Sequence, residues 1–490
     1  MSAHHYDAGD AGLHNDSLVP LNKKEQTWGW FEIFNVWAND IQSLFGYSLV
    51  ASLFIAYGVT GWTAFAALIA AGFLVMFLVN ISGKPGQKHG IPYPVLARAS
   101  MGVNGSKLPA VLRAIVAVFW FGAQTYFAST ALELFLISVT GNTGGEEFLG
   151  LTAFGWVSFV AVWAFQVLLF SRGMGWVSTF LNLAGPIVYL VMVGLLVVLW
   201  IESDGKLLSA AQTIFAPENP TFSSEFTGFV AIVGTMVAYF AAVMINFSDF
   251  SRYSKSTSSM KFGNLVGLPA NMVIFSALAL LITAGAAVVY GEELTNPTAI
   301  VERTDSVLLS VIAAFTFFAA TVGINLVANF VPAVNGIANL APKTLDYRRA
   351  GWIASILALV IGGFWVSLIS QIGISAFVNT LGATLAPLYG IMIVDYYWLK
   401  KQQLKLKDLY STDADAAYHY TNGWNKSALY AFFIGAVFSV ATVWIEELQF
   451  LTGYAWLFGA VLGGLAYKVL SPAPATSSTQ SRAEEATENG

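Results

Sequence analysis

Twelve segments of this 490-residue chain are each long and apolar enough to cross a lipid bilayer. A helix needs about 20 apolar residues to span the hydrocarbon layer. No water is available there for backbone polar groups, so each span is expected to be helical. The predicted spans are 31–57, 63–81, 112–139, 150–170, 178–200, 228–247, 268–290, 307–335, 351–368, 372–397, 427–445 and 451–470. Only 10% of the residues are charged and 56% are hydrophobic. A water-facing fold carries roughly 25% charged residues and is excluded. The expected class is an all-α polytopic membrane protein whose first partner is the bilayer. Residues 1–27 are polar and hold Asp7, Asp10, Asp16 and Glu25, which does not read as a cleavable leader. The Ser-, Ala-, Thr- and Glu-rich stretch 471–490 is expected to be a disordered tail.

Composition also limits the chemistry. With no Cys, disulfides, iron–sulfur clusters and thiolate zinc sites are excluded. The five His residues, at 4, 5, 14, 89 and 419, all lie outside the apolar runs, so neither a buried metal site nor a cofactor is expected. A net charge of −5 argues against nucleic acid as a partner.

Charge sets the expected orientation. With the N-terminus inside, 21 of the 23 Lys and Arg residues fall in inner segments. Only Lys206 and Arg303 are left outside, where Glu146, Glu147, Glu292 and Glu293 lie instead. Such a skew is the positive-inside pattern. It predicts twelve spans with both termini cytoplasmic.

Polar side chains inside the spans are expensive in lipid and mark function by default. The first span holds Asn39, Asp40, Gln42 and Ser43 near its middle, a cluster able to satisfy the backbone of a broken helix. Trp120 and Gln124 are four residues apart in the third span, on one face. Phe240 and Asn246 lie in the sixth span, and Asn325 and Asn329, again four apart, in the eighth. An aromatic plate with several amides suits a flat, neutral, hydrogen-bonding ring. Each residue also has a plainer reading. Trp120 could fill a Phe-rich core, the Asn residues could join neighbouring helices, and Glu133 could reach the outer interface. Asp40 stands apart, because a mid-span carboxylate must be solvated, paired or protonated.

Several blocks have a recognisable order and spacing. They are NDSLVPL (15–21) with Thr27-Trp28, GIPYPVLARASMG (90–102), LPAVLRA (108–114), FWFGAQT (119–125), DFSRY (249–253), GIMIVDYY (390–397) and KDLY (407–410). Together they resemble nucleobase:cation symporter family 1, which includes hydantoin, allantoin, cytosine and uracil permeases. The entry block is closest to the allantoin/hydantoin branch. The resemblance implies a LeuT-like architecture of two inverted five-helix repeats, 28–200 and 228–397, with two peripheral helices in 427–470. It also implies breaks in helices 1 and 6 beside a midplane substrate.

By the same resemblance, Trp120 stacks on the substrate ring, and Gln124 and Asn329 hydrogen-bond it. Phe240 stands where hydantoin and allantoin permeases carry a second plate. Gln42 corresponds to a substrate-binding amide of helix 1, with Asn39 as the alternative one slip away. Asn325 is included in the substrate set. The family's sodium site uses helix 1 carbonyls, here those of Ala38 and Ile41, and two hydroxyl residues of helix 8. Those two positions hold Gly323 and Ile324, which offer a hard cation no side-chain oxygen. Thr321 lies two residues away. The expectation is a proton carried by Asp40 in place of sodium. The implied function is secondary import of a small neutral ring such as uracil, allantoin or hydantoin, across a bacterial inner membrane. The alternative is a nutrient receptor that binds the same rings without transport. An enzyme is disfavoured because Asp40 has no evident acidic partner and no span holds a His.

Overall fold

The computed structural model describes residue 13 and residues 18–172, 174–341 and 344–471, with 174–187 described by backbone alone. Most of the predicted tail and the start of the N-terminal segment lie outside the described residues. The described chain is helical throughout its spans and contains no named strand.

The first predicted span is two helices, α1 (Trp30–Ile41) and α2 (Leu44–Tyr57). They part at Gln42 and Ser43, where the predicted polar cluster sits. Ser43 is extended, and its hydroxyl accepts the Gly46 N–H to cap α2. Next come α3 (Gly61–His89), a short buried helix α4 (Tyr93–Met101), α5 (Lys107–Thr140), α6 (Ala153–Ser171) and α7 (Met174–Glu202). The short α8 (Leu207–Thr213) turns 98° from the last part of α7. Then α9 (Phe222–Ile245) leads to the single turn α10 (Ser248–Ser251). The seventh span joins α11 (Thr257–Leu265) to α12 (Asn271–Tyr290) through a π-turn at Val266–Ala270 that contains Pro269. A connector helix α13 (Pro297–Arg303) precedes α14 (Val307–Ile324), which passes through a π-helical segment, Asn325–Phe330, into α15 (Val331–Leu340). The chain closes with α16 (Tyr347–Gly363), α17 (Ile374–Ile393), α18 (Lys426–Trp444) and α19 (Ala455–Leu470).

Nine of the described helices are long and apolar enough to span a membrane. The other three predicted spans correspond to the broken pair α1–α2, to α7, and to the 17-residue α16. Twelve spans are consistent with this arrangement. The sixth span departs from expectation. α9 runs unbroken through its middle, and the interruption falls at Asn246–Phe247, at the end nearer the basic 252–261 loop. Residues 235–245 contain neither Gly nor Pro and keep their helical bonds. The polar groups that can satisfy a freed backbone, Asn246, Ser248 and Asp249, come only afterwards.

Close helix packing rests on small residues, as expected where lipid removes the hydrophobic drive between helices. A Cβ at Gly390 on α17 would sit 1.8 Å from the Ala460 carbonyl oxygen on α19. Gly390→Ala is therefore expected to force the two helices apart, at a cost of at least about 1–3 kcal/mol. A clearly lowered melting temperature in detergent would show it. Gly194→Ala, where a Cβ meets nothing within 4 Å, should melt like the parent. Equal melting of both variants would contradict this packing.

Candidate functional site

Trp120 lies on α5, 3% exposed. Three rings pack nearly perpendicular to it: Phe45 at 4.8 Å, Phe377 at 5.3 Å and Tyr239 at 5.4 Å between centroids. Gln124, one turn on, is also buried, and its Oε1 has no hydrogen-bond partner. Phe240 contacts Tyr239 at 4.8 Å and Trp37 at 5.9 Å. Trp120 and Phe240 share no ring contact, and Tyr239 touches both.

The two Asn residues of the eighth span fall in its π-helical segment. One extra residue per turn there re-aims side chains, a device frequent at functional sites. Asn329 Nδ2 donates to Asn325 Oδ1 at 2.9 Å. Asn325 Nδ2 lies 2.8 Å from Gln166 Oε1, 3.0 Å from the Phe121 carbonyl and 3.1 Å from Thr125 Oγ1. Asn325 thus ties α5, α6 and α14 together and holds Asn329 from behind, with both ends of its amide engaged inside the protein.

At the break between α1 and α2, Gln42 turns toward the seventh span, where its Nε2 donates to Asn271 Oδ1 at 3.5 Å. Asn271 in turn accepts from the Tyr189 hydroxyl. Asn39 donates to the Asn35 carbonyl of its own helix at 2.8 Å. The Asn39 Oδ1 and Gln42 Oε1 atoms are buried without partners. The Ala38 carbonyl accepts the Gln42 N–H at 3.0 Å, and Ile41 is the last residue of α1. Asp40 is 6% exposed and has no ion pair among the described residues. The Tyr239 hydroxyl lies 2.9 Å from both Asp40 Oδ1 and the Asp40 carbonyl. Ser43 Oγ donates to that same carbonyl at 2.9 Å. On the opposite side, Thr321 Oγ1 accepts the Leu44 N–H at 3.0 Å. The break is therefore held from α9 by Tyr239 and from α14 by Thr321. Gly323 and Ile324 follow on α14, both buried.

Two residues of this region were not singled out from the sequence. Tyr239 is one; a buried phenol must find a partner, and its place beside Phe240 was the available signal. Arg113 is the other. It counted with the inner basic loop, but lies buried within α5. Its guanidinium donates to the Ala242 carbonyl at 3.1 Å, to the Ala328 carbonyl at 2.7 Å, and to Asn246 Oδ1 at 3.4 Å. Asn246 donates to Asp249, which also accepts the Tyr93 N–H. Glu133 instead accepts from Thr152 Oγ1 at 2.6 Å, at the N-cap of α6. No cluster of potential metal ligands occurs among the described residues.

This layout can be set against known proteins. An allantoin permease of Bacillus subtilis is 32% identical over 94% of this chain and 93% of its own. A purine-uracil permease of Arabidopsis thaliana is 27% identical over 89% of this chain and 73% of its own. The transporter Mhp1 of the nucleobase-cation-symport-1 family has been solved inward-facing, and closed with bromovinylhydantoin bound. These two structures superpose with TM-scores of 0.76 and 0.75 at 21% identity, covering 94% of this chain and 95% and 96% of theirs. The inverted-repeat fold expected from the sequence is thus the observed one, and the relatives are permeases rather than enzymes. Residues 20–463 match the family described as permeases for cytosine and purines, uracil, thiamine and allantoin, and the chain is a multi-pass membrane protein belonging to that family.

Proposed function

We propose that this chain imports a small neutral ring bearing N–H donors, such as allantoin, hydantoin or uracil, coupled to protons rather than sodium. One observation carries the ring assignment. The amide oxygens of Gln124, Gln42 and Asn39 are buried with no donor among the described residues. A buried acceptor without a partner costs roughly 1–3 kcal/mol, and a ring with N–H groups on its edge relieves that cost. Trp120 supplies the stacking plate and Asn329, fixed by Asn325, a further amide. Gln42 and Asn39 both remain as the helix 1 contact. Phe240 contributes through Tyr239 and Trp37, not by facing Trp120. The segments 28–200 and 228–397 are the two repeats in this reading, and a scaffold of spans 3, 4, 8 and 9, drawn from both, would rock against the bundle around the ring, with both termini in the cytoplasm of a bacterial cell.

The proton reading rests on two sites. Gly323 and Ile324 bring no side-chain oxygen, and the Thr321 hydroxyl already accepts the Leu44 N–H. The carbonyls of Ala38 and Ile41 remain, two oxygens where a hard cation needs a fuller shell of them. Asp40, buried and without an ion pair among the described residues, is the group read as holding the proton. Uptake of labelled allantoin, hydantoin and uracil into proteoliposomes tests both parts. An inward proton gradient is expected to drive accumulation of one ring at least, with sodium making no difference. A steep rise with sodium at fixed pH would remove the proton reading. No uptake of any ring would remove the importer reading.

A further inference from the structure

α6 and α16 lie side by side, antiparallel, and touch at two places. The Trp163 indole donates to the Ser355 carbonyl at 2.9 Å. The Phe170 ring stacks on Tyr347 at 4.8 Å between centroids. Along these contacts runs a groove of about 650 Å³, walled by Val167, Leu168 and Trp352 and reaching Ser171 and Arg348 at one end. Gly351 forms its floor, where a Cβ would come within 2.7 Å of the Phe170 ring. The groove opens sideways, toward lipid: Leu168 is 52% exposed and Trp352 49%.

Its interior and its mouth differ in chemistry. The Ser355 hydroxyl donates to the Gly351 carbonyl and the Ser171 hydroxyl to the Leu168 carbonyl, each at 2.7 Å. With the Trp163 indole also bonded, no donor inside is left without an acceptor, so an occupant of the interior is apolar. At the mouth, Arg348 and Arg172 are exposed, and neither side chain has an ion pair or hydrogen bond among the described residues. Arg349 is already engaged, donating to the Thr344 carbonyl at 2.8 Å. Asp346, the carboxylate of this corner, caps α16 by accepting the Arg349 N–H at 2.7 Å. The two unengaged cations stand where α6 ends and α16 begins, at the depth of the membrane–water boundary.

We infer that this groove holds an anionic phospholipid, with one acyl chain between α6 and α16 and its phosphate against Arg348 and Arg172. The inference stands apart from the ring-carrier reading. Cations at the ends of spans attract anionic headgroups, and basic pockets between helices hold them. The apolar walls add the burial of a chain. Two other grooves between spans, one lined by Trp62 and Leu281 and one by Phe135 and Phe315, enclose about 220 and 280 Å³. Neither has a charged side chain among its described lining residues, so a chain lying there finds no partner for its headgroup. A second copy of this protein is the poorer occupant. A two-fold contact over the groove would bring the same arginines of both copies together, and like charges oppose it. Phe170 also packs on Phe330 at 4.4 Å, so the lipid lies behind the π-helical segment that carries Asn329.

The test is native mass spectrometry of the full-length protein, delipidated in detergent and titrated with phosphatidylglycerol, phosphatidylcholine or glycerol phosphate. The parent is expected to bind its first phosphatidylglycerol about 30-fold more tightly than phosphatidylcholine, for two arginines acting on a net negative headgroup. Glycerol phosphate, a headgroup without chains, should not bind over the same range. Arg348→Gln and Arg172→Gln should each weaken the first phosphatidylglycerol about fivefold, and together remove the preference over phosphatidylcholine. Ala164→Trp, on the exposed wall of the groove, keeps both arginines but fills the seat of the chain, and should lose the first site. Lys261→Gln removes an exposed cation on α11 and should bind like the parent. Melting curves check that each variant is folded, and if Ala164→Trp melts early, Leu168→Trp fills the groove from its rim instead. A parent without preference for phosphatidylglycerol overturns the inference, as does a double arginine variant that keeps the preference, or a folded groove-filled variant with parental binding. Equal loss in Lys261→Gln would reduce the effect to overall charge, and tight binding of glycerol phosphate would make the mouth a free-anion site; either overturns it. A parent dimer that Ala164→Trp splits would put a second copy over the groove and also overturn it.

Discussion

Trp120→Ala is expected to lose ring binding by roughly 5- to 150-fold, the equivalent of the 1–3 kcal/mol that a base–aromatic stack contributes. The substitution removes the plate and leaves Gln124 and Asn329 in place, so hydrogen bonding alone would hold the ring. It also removes packing against Phe45, Phe377 and Tyr239. Truncating a buried Trp costs about 3–5 kcal/mol of stability in a well-packed core, so a binding loss read alone could be a folding loss. Trp120→Phe separates the two, because it keeps an aromatic face of smaller area. It should melt close to the parent and bind a few-fold more weakly. Calorimetric titration with allantoin, hydantoin and uracil, paired with melting curves, supplies both readings. A folded Trp120→Ala protein with parental affinity for a ring would take Trp120 out of the site.

Much of this arrangement was legible in the sequence, for physical reasons that differ by element. The spans are legible because lipid enforces continuous apolar runs and internally bonded backbone. The break of helix 1 is legible because side chains that bond a freed backbone must sit at the break. Asn39, Asp40, Gln42 and Ser43 do, and Ser43 caps α2. The interruption of the sixth span follows the same rule. It falls where Asn246, Ser248 and Asp249 stand, not at the middle that the resemblance implied.

The blocks that carry the family resemblance have a different role in the structure. The Arg98 guanidinium, from the 90–102 block, donates to the Leu409 carbonyl of KDLY at 3.0 Å and lies over the Tyr410 ring. The Tyr410 hydroxyl donates to the Leu18 carbonyl of the entry block. Asp249 of DFSRY accepts the Tyr93 N–H. Burial and the hydrogen bonds it receives act oppositely on Asp249, and burial prevails to hold its carboxyl above the usual carboxylate range. Four distant blocks therefore converge into one clasp on the basic loops, away from Trp120. Their spacing reports the fold, while the ring site draws on single residues scattered along the spans. Tyr239 escaped notice because a lone Tyr beside a Phe in an apolar run has no periodic or compositional signature. Its meaning arises only when α9 lies against the break of helix 1. Asn325 shows the converse. Spacing alone could not separate it from Asn329, and only the contacts with Gln166, Thr125 and Phe121 show it bracing its neighbour.

Arg113→Leu is expected to prevent stable folding, and Arg113→Lys to rescue it only in part. The guanidinium sits two turns before Trp120 on α5 and bonds two carbonyls that regular helix geometry leaves exposed. Ala242 lies in the last turn of α9, whose carbonyls have no partner further along the helix. Ala328 lies in the π-helical segment that carries Asn329. A planar fork can serve both helices and Asn246 at once, whereas an ammonium is a single point donor. Arg113→Leu leaves two buried carbonyls and the Asn246 oxygen without this donor, at roughly 1–3 kcal/mol each. It also removes the cation that acts through space on Asp40 and Asp249. The sum is comparable to the whole stability of an ordinary domain, about 5–15 kcal/mol. The measurement is the yield of monodisperse protein after detergent extraction, followed by melting curves. Arg113→Leu should be recovered at a small fraction of the parental level. Arg113→Lys should be recovered but melt lower, because one ammonium cannot hold α9 and the π-segment together. An Arg113→Leu protein with parental yield and melting would mean that these carbonyls find other partners, and that the buried charge on α5 contributes nothing to holding α9 against the eighth span.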